Sequence, residues 1–231
     1  METGRGPSQD GKPAAPQSDP PQQGLRERKK QRTRMAIYEA AMALFAERGY
    51  DHVTMAEIAR AADVAPATVF THYASKEDLF YELRHVANDQ LRLALGSRAA
   101  EVGVLAAVKE WQLEMYEYYV DSPEKVKRSQ TFSRLLRENP TLWTRSVGFM
   151  YERQKLMTEL MLEHYPQTDP FRLEVAAAQI AGAVQAAQVR YQGDLATGMA
   201  KGEVLTRAAE RTERAFEQLA QGLADVLADV R

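Results

Sequence analysis

From residue 35 onward, apolar residues return at every third or fourth position and never alternate over the length of a strand, which restricts the chain to helices. Ile37, Ala40, Ala41, Leu44 and Phe45 form one stripe, and Gly49 behind them suits the left-handed residue that ends a helix. Thr54-Met-Ala-Glu57 is a capping box that opens a short second helix, and Pro66 suits the first turn of a third. Ser75 starts a fourth, for which Leu79, Leu83, Val86, Ala87 and Leu91 predict one long rod to about Leu95, roughly 30 Å at 1.5 Å per residue. Further stripes follow from Leu105 to Tyr118, from Ser122 to Glu138 and from Asn139 to just before Pro166. An Ala-rich helix opens at Asp169-Pro170, and a last one carries Leu205, Ala208, Thr212, Phe216, Leu219, Leu223 and Leu227. The expectation is an all-α protein of about nine helices without an internal repeat.

Charge is unevenly spread along the 231 residues. The whole chain carries −2, yet residues 25–34 hold six Lys or Arg against Glu27 alone, so +5 stands at one end and −7 everywhere else. Residues 1–24 contain five of the ten prolines and no Val, Ile, Leu or aromatic residue, a composition that cannot offset its ordering entropy, and a disordered tail is expected there. With no cysteine, disulfide scaffolds, thiolate metal sites and thiol nucleophiles are excluded. The longest apolar run, Val175 to Val189, is broken by Gln179, Gln185 and Gln188 and is too short for a membrane span, so no membrane partner is expected.

The three short helices have the layout of a helix-turn-helix. Ile58, Ala59, Val64 and Val69 would lock the second helix to the third, leaving Ala65, Pro66, Ala67, Thr68, Thr71 and His72 on the outer side. Such small side chains let a backbone approach phosphates, and their methyl groups can touch thymine. The basic run, including Arg32 and Arg34, would lie just upstream of the first helix and meet phosphate or enter an adjacent minor groove.

The string from Ile37 to Phe80 resembles the DNA-binding domain of the TetR family of transcriptional regulators. The matching elements are Ala40-Ala41 with Leu44-Phe45, Gly49-Tyr50, Thr54, Ile58-Ala59, Val64, Thr68, His72-Tyr73 and Ser75-Lys76. The resemblance implies a recognition helix over Ala65 to Thr71, phosphate contacts from Thr54 and Lys76, and His72 and Tyr73 lying on the DNA backbone just beyond it. Two positions depart from the family pattern. The usual turn glycine is Asp63, which can enter the left-handed region, and the usual tyrosine of the recognition helix is Phe70, without a hydroxyl for phosphate. Residues 25–91 are accordingly expected to read double-stranded DNA, and residues 92–231 to bind an effector and dimerise.

For the effector, Trp111, Met115, Tyr118, Phe132, Trp143, Val147 and Met150 supply adaptable apolar surface from three consecutive helices, although each alone reads equally as core. Arg134 and Arg137 are candidates to meet an acidic group, and residues 134–145 resemble actinobacterial TetR members that bind acyl-CoA-like ligands. For the dimer, Ala178, Gly182 and Ala186 with Phe216, Leu219 and Leu223 would pair across a two-fold axis as a four-helix bundle. The sequence has no HExxH, GxSxG or complete phosphate loop, and Gly193 to Met199 reads as a loop between the last two helices. The resulting expectation is a cytoplasmic, non-enzymatic homodimer without a cofactor. It binds a palindromic operator, acts as a repressor rather than an activator, and is released by a small apolar or acyl-type effector. A helical ligand-binding adaptor with a vestigial helix-turn-helix is the alternative from another class.

Overall fold

The computed structural model describes residues 21–227. Its helices are α1 (Pro21–Arg48), α2 (Met55–Ala61), α3 (Pro66–His72), α4 (Lys76–Phe80), α5 (Arg84–Leu93), α6 (Ala99–Val102), α7 (Val104–Tyr118), α8 (Pro123–Glu138), α9 (Pro140–His164), α10 (Pro170–Ala196) and α11 (Lys201–Leu227), with a π-helical turn over Ala94–Arg98. No strand occurs among the described residues, and the all-α expectation holds.

The expected caps set the boundaries. Thr54 and Glu57 form the reciprocal box, and the side chains of Ser75, Ser122, Asn139 and Asp169 each accept a backbone N–H from the first turn they precede. Gly49 ends α1 at φ +82°. Asp63 takes φ 54°, with Val64 N–H reaching the Ala59 carbonyl at 3.0 Å and Asp63 N–H reaching Arg60 at 3.2 Å, the paired bonds that turn α2 sharply toward α3.

Four expectations about the chain path are corrected. Helix α1 begins at Pro21, so residues 21–24 and the basic run are helical and not an arm ahead of the helix; the rest of the expected tail, residues 1–20, lies outside the described residues. The long fourth helix is broken over Tyr81 to Leu83, where Glu82 N–H bonds to Leu79 and Arg84 N–H to Tyr81, three residues back instead of four. Leu79, Phe80, Tyr81 and Glu82 are consecutively buried, which no single helix face can satisfy. Helix α10 extends through Ala196, so the loop expected from Gly193 begins only at Thr197, and the division expected at residue 91 falls inside α5.

Two large apolar clusters organise the packing. One joins α1 to α4 with Leu135 and Leu136 of α8 and Leu142 and Phe149 of α9, so the sensor's helices complete the reader's core. Aromatic rings dominate that seam: Phe132 stacks on Phe80 with centroids 4.6 Å apart, and Tyr81 meets Phe149 edge-on at 4.8 Å. The other cluster gathers α5, α7, α9, α10 and α11 and takes in Phe216 and Leu223, with Leu219 packed beside them. Phe216 and Leu223, expected at a dimer interface, are therefore buried within their own chain, and Leu219 is half-buried beside them. Ala178, Gly182 and Ala186 lie on the exposed face of α10.

Candidate nucleic-acid interface and effector cavity

Burial of Ile58, Ala59 and Val69 locks α2 against α3, as the spacing implied. Facing outward are Ala65, Pro66, Ala67, Phe70 and Thr71, with Thr68 and His72 half-buried. Phe70 is 58% exposed, an apolar ring presented to solvent by a short helix that otherwise shows methyl groups. The Thr71 hydroxyl donates to the Ala67 carbonyl at 2.9 Å, which leaves its oxygen and methyl free to face a groove. Thr54 is exposed at the start of α2.

Several of the residues expected on DNA also make contacts within the fold. Tyr73 is buried and its hydroxyl donates to the Arg34 carbonyl at 3.0 Å. Arg34 grips Glu82 with Nε and Nη2, reaches the His72 carbonyl with Nη1 at 3.3 Å and lies 4.8 Å over the Tyr73 ring. The Glu82 hydrogen bond holds the guanidinium pKa above its ordinary value. Together they bolt the end of α3 to α1 and to the break after α4. Burial, reinforced by Arg34 and Lys30, lowers the His72 pKa.

Lys76 is likewise committed: its Nζ donates to the carbonyls of Tyr50 at 2.9 Å and Val53 at 3.1 Å, 4.2 Å above the Tyr50 ring. Lys76→Ala is thus expected to cost about 2 kcal/mol of stability by orphaning the loop between α1 and α2. Chemical denaturation checks this, and an unchanged midpoint would return the ammonium to a phosphate role. Among the described residues, Arg26, Arg28, Lys29, Lys30 and Arg32 are exposed cations on the opening turns of α1, and Arg60 is exposed on α2. Arg26 with Lys30, and Arg28 with Arg32, are like charges one turn apart, mildly destabilising until an anion lies alongside.

Behind the reader, a cavity of about 150 Å³ opens where α1, the break at Tyr81 to Arg84, and helices α7, α8, α9 and α10 meet. Of the seven expected pocket residues, Trp111, Met115, Phe132 and Met150 line it. Tyr118, Trp143 and Val147 do not: Tyr118 carries the Lys125 ammonium 4.0 Å over its ring, and Trp143 and Val147 are exposed on the outer side of α9. Arg134 bonds to Glu138 and to the Ala46 carbonyl, and Arg137 faces solvent, so neither supplies the cavity's charge.

That charge comes from residues the sequence reading missed. Arg84, Arg128 and Arg153 enter the cavity from three elements, beside Gln112, Gln185, Gln188 and Gln192. Gln112 donates to Gln188 at 3.2 Å, and Arg153 to Asn88 at 3.3 Å. Burial lowers the pKa of Arg153 and pushes the Tyr119 phenol up to about 12. The glutamines at 185, 188 and 192, spaced along one face of an otherwise apolar helix, were the legible signal of a polar cavity wall.

Residues 37–83 match the family described as "Bacterial regulatory proteins, tetR family". Those residues therefore carry a TetR-type DNA-binding domain. Among its TetR-type relatives is the HTH-type transcriptional regulator TcmR of Streptomyces glaucescens, 38% identical over 91 residues that cover 39% of this chain and 40% of TcmR. Another is AcrR of Shigella flexneri, 28% identical over 141 residues, or 60% of this chain and 62% of AcrR. The matched region thus spans less than two thirds of either relative. Solved structures extend the likeness of fold across the chain's helices. NalD of Pseudomonas aeruginosa, the secondary repressor of the MexAB-OprM multidrug efflux pump, superposes with TM-score 0.54 at 23% identity, covering 81% of this chain and 96% of NalD. FadR of Bacillus subtilis, solved with stearoyl-CoA, gives 0.52 at 17% identity, covering 81% and 98%. No described helix is long and apolar enough to cross a membrane.

Proposed function

We propose that the chain is a non-enzymatic, ligand-responsive repressor that binds a palindromic operator as a homodimer, through the outer face of α3, and is released by a small, largely apolar effector. It acts on DNA in the bacterial cytoplasm, at the nucleoid when bound. The observation that carries this reading is where the cavity sits: its wall includes Phe80, Tyr81, Leu83 and Arg84, the segment in which the chain breaks between reader and sensor, and Tyr38 of the reader's own first helix. A molecule seated there presses directly on the joint that aims α3. Coupling of about 1–3 kcal/mol through that joint would weaken DNA binding roughly 5- to 150-fold. A cavity of about 150 Å³ suits a molecule of one ring and not an acyl-CoA, which favours the small effector over the acyl type.

In this reading the dimer forms over the exposed face of α10, where Val175, Ala178, Gly182 and Ala186 allow close helix approach. A two-fold there would set the recognition helices about 34–36 Å apart, one turn of DNA. Selection of bound fragments from a random DNA pool should recover an inverted repeat. A Cβ at Gly182 meets nothing within 4 Å, so Gly182→Glu fits the protomer. It is expected to yield folded monomers by light scattering and to lose the repeat. A pool without enrichment would sink the regulator reading, and an intact dimer would place the interface elsewhere.

A further inference from the structure

We infer that the effector cavity takes a small aromatic carboxylate, an anion of benzoate size; this rests on the reading of that cavity as the effector site. Three guanidinium groups, Arg84, Arg128 and Arg153, converge there, and no Asp, Glu, Lys or His lines it. None of the three forms an ion pair with a carboxylate among the described residues. Two donors, Nη1 of Arg84 and Nε of Arg128, are shielded from solvent and have no hydrogen-bond acceptor.

Cations withdrawn from water need compensation, and here the protein supplies mainly ring faces. Arg84 lies 4.1 Å over Phe149, Arg128 5.6 Å over Tyr38 and Arg153 5.5 Å over Trp111. The one side-chain acceptor that any of them reaches is the neutral amide of Asn88. A carboxylate seated among them would provide the countercharge and up to four lone-pair positions for their donors. The remaining wall is largely apolar, with Phe80, Trp111 and Phe132 among the rings that line it, and the volume matches a cavity that admits benzene. Charge and shape together select an aromatic acid over an aliphatic chain or a cationic drug.

Full-length protein titrated with benzoate, with neutral benzamide and with benzylammonium tests this by calorimetry and by Trp111 emission. Benzoate is expected to bind about ten-fold or more tightly than benzamide, and benzylammonium not at all. Arg153→Gln, and separately Arg128→Gln, should lower benzoate affinity by about ten-fold while leaving benzamide within about two-fold. Equal affinity of the wild type for benzoate and benzamide would overturn the inference, whatever the variants do. No binding by any of the three would overturn both the inference and the cavity's standing as a ligand site. Benzoate binding that leaves the operator complex intact would overturn the effector reading alone.

Discussion

Phe216→Ala is expected to lower the unfolding free energy by about 3–5 kcal/mol, with a fall in Tm on the order of 10 °C. The amphipathic stripe of α11 invites the opposite assignment, that Phe216 meets a second copy of the chain. The packing decides against it: the ring is 5% exposed within a single protomer, in one cluster with Trp111, Leu160 and Val184. Truncation removes its transfer free energy and leaves a void that the helices lining it cannot close. Differential scanning calorimetry at two protein concentrations separates the two roles, because weakening an interface lowers Tm most on dilution, where mass action no longer holds the dimer together, whereas loss of core lowers Tm equally at both. A Tm that holds at high concentration and falls only on dilution would put Phe216 back at the interface.

The second large effect is expected at the bolt between reader and sensor. Glu82→Gln keeps the shape of the side chain and removes its charge, leaving Arg34 half-buried beside a neutral partner, at a cost of about 3 kcal/mol. The consequence should extend beyond stability. Arg34 also holds the last carbonyl of α3 and accepts the Tyr73 hydroxyl through its own carbonyl, so loosening it frees the end of the reading helix. A double-mutant cycle with Arg34→Met, read by denaturant unfolding, should give a coupling of about 2 kcal/mol. Strictly additive single substitutions would show that the two side chains do not depend on each other. Operator affinity measured at a temperature where the variant is fully folded should also fall, since the defect lies in how α3 is aimed.

Features written in local chemistry were legible in the sequence. Thr54 with Glu57, Asp63 in the left-handed region and the caps at Ser75, Ser122, Asn139 and Asp169 each involve groups a few residues apart, and each stands where the spacing put it. The break after α4 was not legible, because Leu79, Leu83, Val86 and Leu91 fit a continuous helix equally well. What bends the chain is Glu82 held by Arg34, 48 residues earlier, and the Tyr81 hydroxyl bonded to the Leu142 carbonyl, 61 residues later. The same blindness to distant partners hid the internal acceptors of Lys76, which lie more than 20 residues away. In the cavity, four of the seven large apolar residues read from the sequence line the wall, but an arginine inside and an arginine on the surface look alike until the helices are assembled.

One consequence of the helical basic run concerns salt. Helix α3 carries no Lys or Arg, while Arg34 and Lys76 engage partners inside the fold, so among the described residues counterion release on DNA binding is expected mainly from the five exposed cations of α1. If all five meet phosphate, a dimer neutralises ten charges and its affinity falls with a log–log slope of about −9 against ionic strength. Grip and reading thus reside on different helices: rising salt would strip the protein from every sequence alike, while the order of preference among sequences, set by methyl groups and one exposed ring, stays as it was.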